Sequence, residues 1–183
     1  VCDAIDLHAA SLIAKALPKA YENGADIEAR SAMAVASSTA GIAFSQTGLG
    51  MVHGFAHPVG AKFGIAHGTA NAIILPYVLA ALAGHAAPRL RDIAAAMGAC
   101  PAGTSPRKGA GALVDAVVAL KARLGIAESL SGVGITPRDA PALLPDALTY
   151  RRRPRSPRAF SDDELRRLLD AAISGDMAAA LAL

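Results

Sequence analysis

The stretch MVHGFAHPVGAKFGIAHG, residues 51–68, brings three histidines into one short segment: His53 and His57 lie four residues apart, and His67 follows a glycine-containing bend. A spacing of four on a helix projects two imidazoles from one face, where their ring nitrogens can share a metal ion or a polar substrate. Pro58 removes one backbone hydrogen bond and bends that helix, while Gly60, Gly64 and Gly68 loosen the chain enough to return His67 towards the same point. Between residues 44 and 85 the only Lys, Arg, Asp or Glu is Lys62, so the imidazoles sit in an apolar setting where an unpaired polar group costs a few kcal/mol, on the order of 1–3. Two uses satisfy them: contact with a ligand, or plain core packing with a backbone carbonyl as partner.

The rest of the chain reads as helix. At 183 residues it is long enough for one domain with a sizeable core, and residues 1–183 are taken as that single domain. Aromatics make up 4% and tryptophan is absent, a composition dominated by alanine and leucine that favours close-packed helices over sheets. The expected fold class is therefore all-α, a multi-helix bundle-like domain. A first helix runs to the Asn23-Gly24 break. A second spans residues 27–45, with small residues on all faces that predict a central position. Residues 69–84, TANAIILPYVLAALAG, predict a buried central helix, too short and too polar at Asn71 to cross a bilayer. Residues 88–97 and 105–124 form amphipathic helices on either side of a turn at 98–104. Thr136-Pro137 starts a further helix, and Ser161 with Glu164 forms a capping box before the last one, ELRRLLDAAI.

Charge excludes several partners. The formal +3 comes from 18 basic and 15 acidic residues, and the excess is concentrated in Arg151, Arg152, Arg153, Arg155 and Arg158. With prolines interspersed and no aromatic platform, that run reads as a solvated loop and nucleic acid is not an expected partner. Cys2 and Cys100 form neither a disulfide framework nor a zinc-ligand spacing, which points to a reducing, cytoplasmic setting. No export signal and no membrane partner is expected.

The segment from Phe44 to Val78, FSQTGLGMVHGFAHPVGAKFGIAHGTANAIILPYV, closely resembles the signature of the iron-containing (group III) alcohol dehydrogenases, with GLG before the histidines and HGTAN at the third. The resemblance extends from Val1 to the final helix and implies the C-terminal helical metal-binding domain of that family, the C-terminal half of the dehydroquinate synthase-like fold. It implies an N-terminal dinucleotide-binding domain absent from this chain, and a divalent metal in the cleft between the two. By the resemblance His53 and His67 match two metal ligands. His57 matches the histidine near the nicotinamide and substrate, in a catalytic and cofactor-binding role, and Phe44 matches a substrate-pocket aromatic. The family's aspartate and remaining histidine belong to a DxxxH motif upstream; Asp3 and His8, five apart, do not fill it and are expected at the surface. Ala66 stands where many members have proline.

The implied chemistry is alcohol–aldehyde interconversion by hydride transfer with NAD(P), the cation acting as Lewis acid. Imidazole and carboxylate ligands suit Fe²⁺, Zn²⁺ and other divalent metals, with iron the family's suggestion. The expected partners are a small alcohol or aldehyde and further copies of the chain in a homo-oligomer. Two ligands leave most of a cation's sphere to water, so the chain by itself is expected to bind metal weakly and to be inactive. Glycerol dehydrogenase and maleylacetate reductase share the scaffold, although HGTANAIILP favours the alcohol dehydrogenase branch; a non-catalytic helical interaction module is the remaining alternative.

Overall fold

Alanine-rich sequence punctuated by Gly, Asn and Asp produces helices with sharply defined ends. In the computed structural model, which describes residues 1–151 and 153–183, the regular elements are nine α-helices and short 3₁₀ turns, with no strand among the described residues. The helices are α1 (Cys2–Glu22), α2 (Ile27–Thr47), α3 (Met51–Phe63), α4 (His67–Leu82), α5 (Ala87–Ala96), α6 (Pro106–Arg123), α7 (Ala140–Leu148), α8 (Asp162–Ser174) and α9 (Met177–Leu181). The all-α expectation holds. The described residues gather into two compact units, Val1–Gly48 with Ala87–Leu124, and Leu49–Ala86 with Gly125–Leu183.

In the first unit α1 packs along α2, α5 packs along α6, and α1 also meets α5. The Asn23-Gly24 break is where α1 stops, and Asp26 restarts the chain by accepting a hydrogen bond from the Ala29 N–H at 2.9 Å. The buried residues of α2 are Ala29, Ala36 and Ala43, one in seven, so the helix docks along a single narrow seam. Val35, Ile42 and Phe44 stand exposed. The expected central position of α2 is therefore corrected for this chain. Small side chains permit close approach on every side, but they bury too little area to compel a neighbour there.

In the second unit α4 is the central element, with Ile73, Ile74, Tyr77 and Val78 all buried, as its apolar sequence predicts. The Tyr77 hydroxyl donates to the Glu128 carbonyl at 2.9 Å, and burial pushes its pKa up to about 12. Around α4 lie α3, α8, α9 and the 3₁₀ turn Leu130–Val133, and α7 bridges α3 and α8. Thr136 does form a capping box, but with Asp139 on the 3₁₀ turn Pro137–Asp139, and α7 starts one turn later. Buried Leu165, Leu168, Leu169, Ala172 and Ile173 give α8 the 3.6-residue stripe that docks it.

The arginine run departs from the expected solvated loop. Arg153 donates to the Leu148 and Phe160 carbonyls at 3.1 and 2.7 Å and to Asp162 at 2.6 Å. The Arg158 side chain is 7% exposed, pairs with Glu164, and lies over the Phe160 ring, 4.6 Å from its centre. Guanidinium forks of this kind satisfy several carbonyls at once, which lets a charged side chain pack inward. Arg152 lies outside the described residues.

Ser161 and Glu164 form the reciprocal box that starts α8, Ser161 Oγ accepting from the Glu164 N–H and Glu164 from the Ser161 N–H. Ser161→Ala is expected to cost about 1 kcal/mol in urea unfolding at pH 7. The Ser161 N–H, and then Arg158, hold the Glu164 pKa down at about 2. A carboxyl depressed on folding stabilises fully above its unfolded pKa, so this contribution fades as the pH falls from about 4.5 towards 2. Glu164→Gln should flatten that part of the stability–pH curve, as read by urea midpoints at pH 6 and pH 3.

Candidate metal centre

Two local devices place the three histidines together. Gly50 lets α3 begin immediately before His53, and Gly64, at φ +68°, ends it in the left-handed conformation that costs glycine nothing. Ala66 then starts α4, whose first residue is His67, so α3 and α4 form a helical hairpin with His53 and His57 on one arm and His67 on the other. Pro58 is accommodated inside α3 and buried there.

The ring centres of His53 and His67 are 5.2 Å apart, those of His57 and His67 5.5 Å, and those of His53 and His57 5.6 Å. The hairpin therefore does bring together the three histidines picked out in the sequence. Burial first, and then the neighbouring imidazoles of His67 and His57, lowers the His53 pKa below the ordinary histidine value. A neutral ring keeps a lone pair for donation.

His67 carries a further constraint. Asn71, one turn along α4, donates from Nδ2 to the His67 carbonyl at 2.8 Å, and the same Nδ2 lies 3.1 Å from His67 Nε2. The carbonyl contact requires the amide nitrogen on this side, so Nε2 is the acceptor and the ring proton belongs on Nδ1. The Asn71 Oδ1 is left buried with no hydrogen-bond partner among the described residues. Asn71 lies in the quoted HGTAN, and its i, i+4 relation to His67 was the available signal for this role.

On the other flank the Tyr150 ring stands edge-on to His57, 6.0 Å between centres. It packs so close to α3 that a Cβ on Gly54 would lie 3.0 Å from a Tyr150 ring carbon. Gly54, His57, Pro58, Ala61, Asp146 and Tyr150 surround an open hollow of about 310 Å³. Lys62 closes the loop below it, donating to the Ala142 carbonyl and pairing with Asp146 at 2.7 Å. Tyr150 comes long after the histidines and carries no local signal, so sequence reasoning missed it. Gly54→Ala is expected to displace the Tyr150 ring and to cost about 1 kcal/mol net, overpacking outweighing the better helix propensity. A loss of the ring-current shift on the His57 protons would report the displacement.

The donor set can be tested against a cation. An ion bound by imidazole nitrogen at about 2.0–2.1 Å lies roughly 3.2 Å from the ring centre, so two rings can grip one ion when their centres are within about 6.4 Å. His53 and His67 meet this condition, as do the other two pairs, so distance alone does not choose among them. Among the described residues no group of three or more His, Cys, Asp or Glu side chains is arranged to hold a metal ion. Phe44 lies in the first unit at 47% exposure, and Asp3 and His8 are exposed, Asp3 paired with Arg89. No described helix is long and apolar enough to cross a membrane.

Comparison with known proteins shows the family of the chain. The profile described as Fe-containing alcohol dehydrogenase family, C-terminal, matches residues 1–173. Lactaldehyde reductase of Escherichia coli (strain K12) is 42% identical over 146 residues, which cover 80% of this chain and 38% of that protein. Long-chain-alcohol dehydrogenase 1 of Geobacillus thermodenitrificans is 35% identical over 94% of this chain and 44% of its own length. The solved alcohol dehydrogenase from Oenococcus oeni superimposes with a TM-score of 0.89 at 29% identity, over 93% of this chain and 44% of that one. The chain thus spans about two fifths of the length of the curated relatives it matches. On these matches, the chain belongs to the Fe-containing alcohol dehydrogenase family and carries its helical C-terminal part.

Proposed function

We propose that this chain is the metal-binding helical part of an NAD(P)-dependent alcohol dehydrogenase that interconverts a small alcohol and its aldehyde, with residues 1–183 acting as one functional domain. The observation that carries the reading is the hairpin that holds the His53 and His67 rings 5.2 Å apart, with His57 within 5.6 Å of both. The resemblance of residues 44–78 to the family's signature supports His53 and His67 as the pair that would hold a divalent cation, iron by the family's name. Relatives named for lactaldehyde, long-chain alcohols and 1,3-propanediol support a small alcohol or aldehyde as substrate.

When bound, a divalent cation held by His53 and His67 would supply Lewis acidity towards a substrate oxygen, and NAD(P) would supply the hydride acceptor. The chain's own groups prepare the site. Asn71 orients the His67 ring through Nε2, which would leave that nitrogen's lone pair available to a cation. His57, on the hollow beside Tyr150, accepts the proton that an alcohol releases and passes it outward, and the edge contact with Tyr150 limits the ring's rotation. By the family resemblance, Phe44 is the residue that would match a substrate-pocket aromatic.

Zn²⁺ titration of the chain, followed by the imidazole resonances of each histidine, tests the reading. His53 and His67 are expected to shift together with an apparent Kd of about 0.1 mM or weaker, since two ligands leave the rest of the sphere to water. His53→Ala should abolish the His67 shift, and His67→Ala the His53 shift. Independent or absent shifts would overturn the assignment.

A further inference from the structure

We propose that Asn71 is a positioning residue for metal loading: its amide selects the His67 tautomer that can take a cation, and destabilises the fold in doing so. The inference rests on the reading of the histidine hairpin given above and adds how that site is held ready while empty. Its elements all belong to the second unit.

The two ends of the Asn71 amide act in opposite directions. Nδ2 carries two hydrogens and meets two acceptors of one residue, the His67 carbonyl at 2.8 Å and His67 Nε2 at 3.1 Å. Oδ1 is buried with no hydrogen-bond partner among the described residues. The buried residues beside Asn71 on α4, Ala70, Ile73 and Ile74, have side chains with no polar group to offer it. A buried acceptor left unpaired weakens the folded state, and an apolar side chain of the same size would avoid the penalty.

His67 itself is exposed, so water can serve its carbonyl and its ring in place of the amide. Stability alone therefore favours leucine over asparagine at this position. What the amide does and water does not is impose a direction. Water donates to a neutral ring nitrogen or accepts from it and so tolerates either tautomer, whereas an amide N–H anchored on the His67 carbonyl only donates. Asn71 thus keeps the ring proton on Nδ1 and the lone pair on Nε2. A cation arriving at Nε2 displaces the longer of the two contacts, and the shorter one keeps the amide beside the ring.

Histidine ¹⁵N shifts of the metal-free chain at mildly alkaline pH read the tautomer without any substitution: His67 is expected to carry its proton on Nδ1 and none on Nε2. Asn71→Leu should erase that preference and raise the Kd for Zn²⁺ about tenfold or more, the scale of losing a group that orients a metal ligand. The same variant should raise the urea midpoint by about 0.5 M, because the unpaired oxygen is gone. A firmer fold with weaker metal binding is an outcome that a packing role for Asn71 does not produce. A protonated Nε2 on His67 in the unmodified chain, an unchanged Zn²⁺ Kd in Asn71→Leu, or a lower urea midpoint in that variant would overturn the proposal. The metal reading would survive any of these as long as Zn²⁺ shifts His53 and His67 together in the unmodified chain. Absence of those paired shifts would overturn the metal reading itself, and the role of Asn71 with it.

Discussion

Replacing His67 with alanine in the enzyme that carries this chain is expected to lower kcat for alcohol oxidation about 10³-fold or more and to strip the metal. Lewis-acid assistance at a substrate oxygen contributes several kcal/mol to the barrier, and each 1.4 kcal/mol or so is a factor of ten. His53→Ala should do the same, and the double variant should be no worse than either single one, because two ligands of one ion act as a unit. His57→Ala should behave differently: metal retained and kcat reduced about 10²-fold. Metal content by elemental analysis beside steady-state kinetics separates the two behaviours. Full metal content and near-normal rate in His67→Ala would contradict the ligand assignment.

Gly109→Ala is expected to be the most damaging single-methyl change in the first unit. A Cβ there would lie 2.3 Å from Arg91 Cγ, 2.6 Å from its Cβ and 2.9 Å from its Cα. The long Arg91 side chain can turn away, but its Cα cannot, so α5 and α6 must move apart and give up the packing of Leu90, Ala94, Ala110 and Leu113. Overpacking of this kind costs about 1–3 kcal/mol even after relaxation, and a clash with backbone belongs at the top of that range. Gly111 lies on the same helix with nothing within 4 Å of its added Cβ. Gly111→Ala should therefore stabilise by about 0.5–1 kcal/mol through helix propensity alone. Urea unfolding of the two variants should show opposite signs; two shifts of the same sign would mean that α5 and α6 are not held at this close approach.

These two sites differ in how openly the sequence announces them. The histidine hairpin is written within residues 51–68, where glycines, a proline and an i, i+4 spacing all act locally, so helix ends and ring placement could be read directly. The same is true of the Ser161 cap, whose hydrogen bond spans three residues. The close crossing at Gly109 depends on Arg91, eighteen residues back, and a lone glycine in a helix gives no hint of what faces it. Tyr150 reaches His57 only through the packing of α7 against α3. The arginine run misled for a related reason. Local composition says exposed loop, whereas Arg158 is buried by Phe160, Glu164 and the Leu183 carbonyl, which tertiary folding brings to it. Small residues misled on α2 because they state what a helix face permits and not what covers it.

Imidazoles from two different helices are expected to share one cation. X-ray absorption at the cobalt edge of the Co²⁺-loaded chain reads this directly, because imidazole rings give a multiple-scattering pattern that counts them. Two imidazoles per cobalt at about 2.0–2.1 Å are expected, both lost in His53→Ala and in His67→Ala and both kept in His57→Ala. One imidazole or none in the unmodified chain, or a count that falls in His57→Ala and holds in the other two, would contradict it.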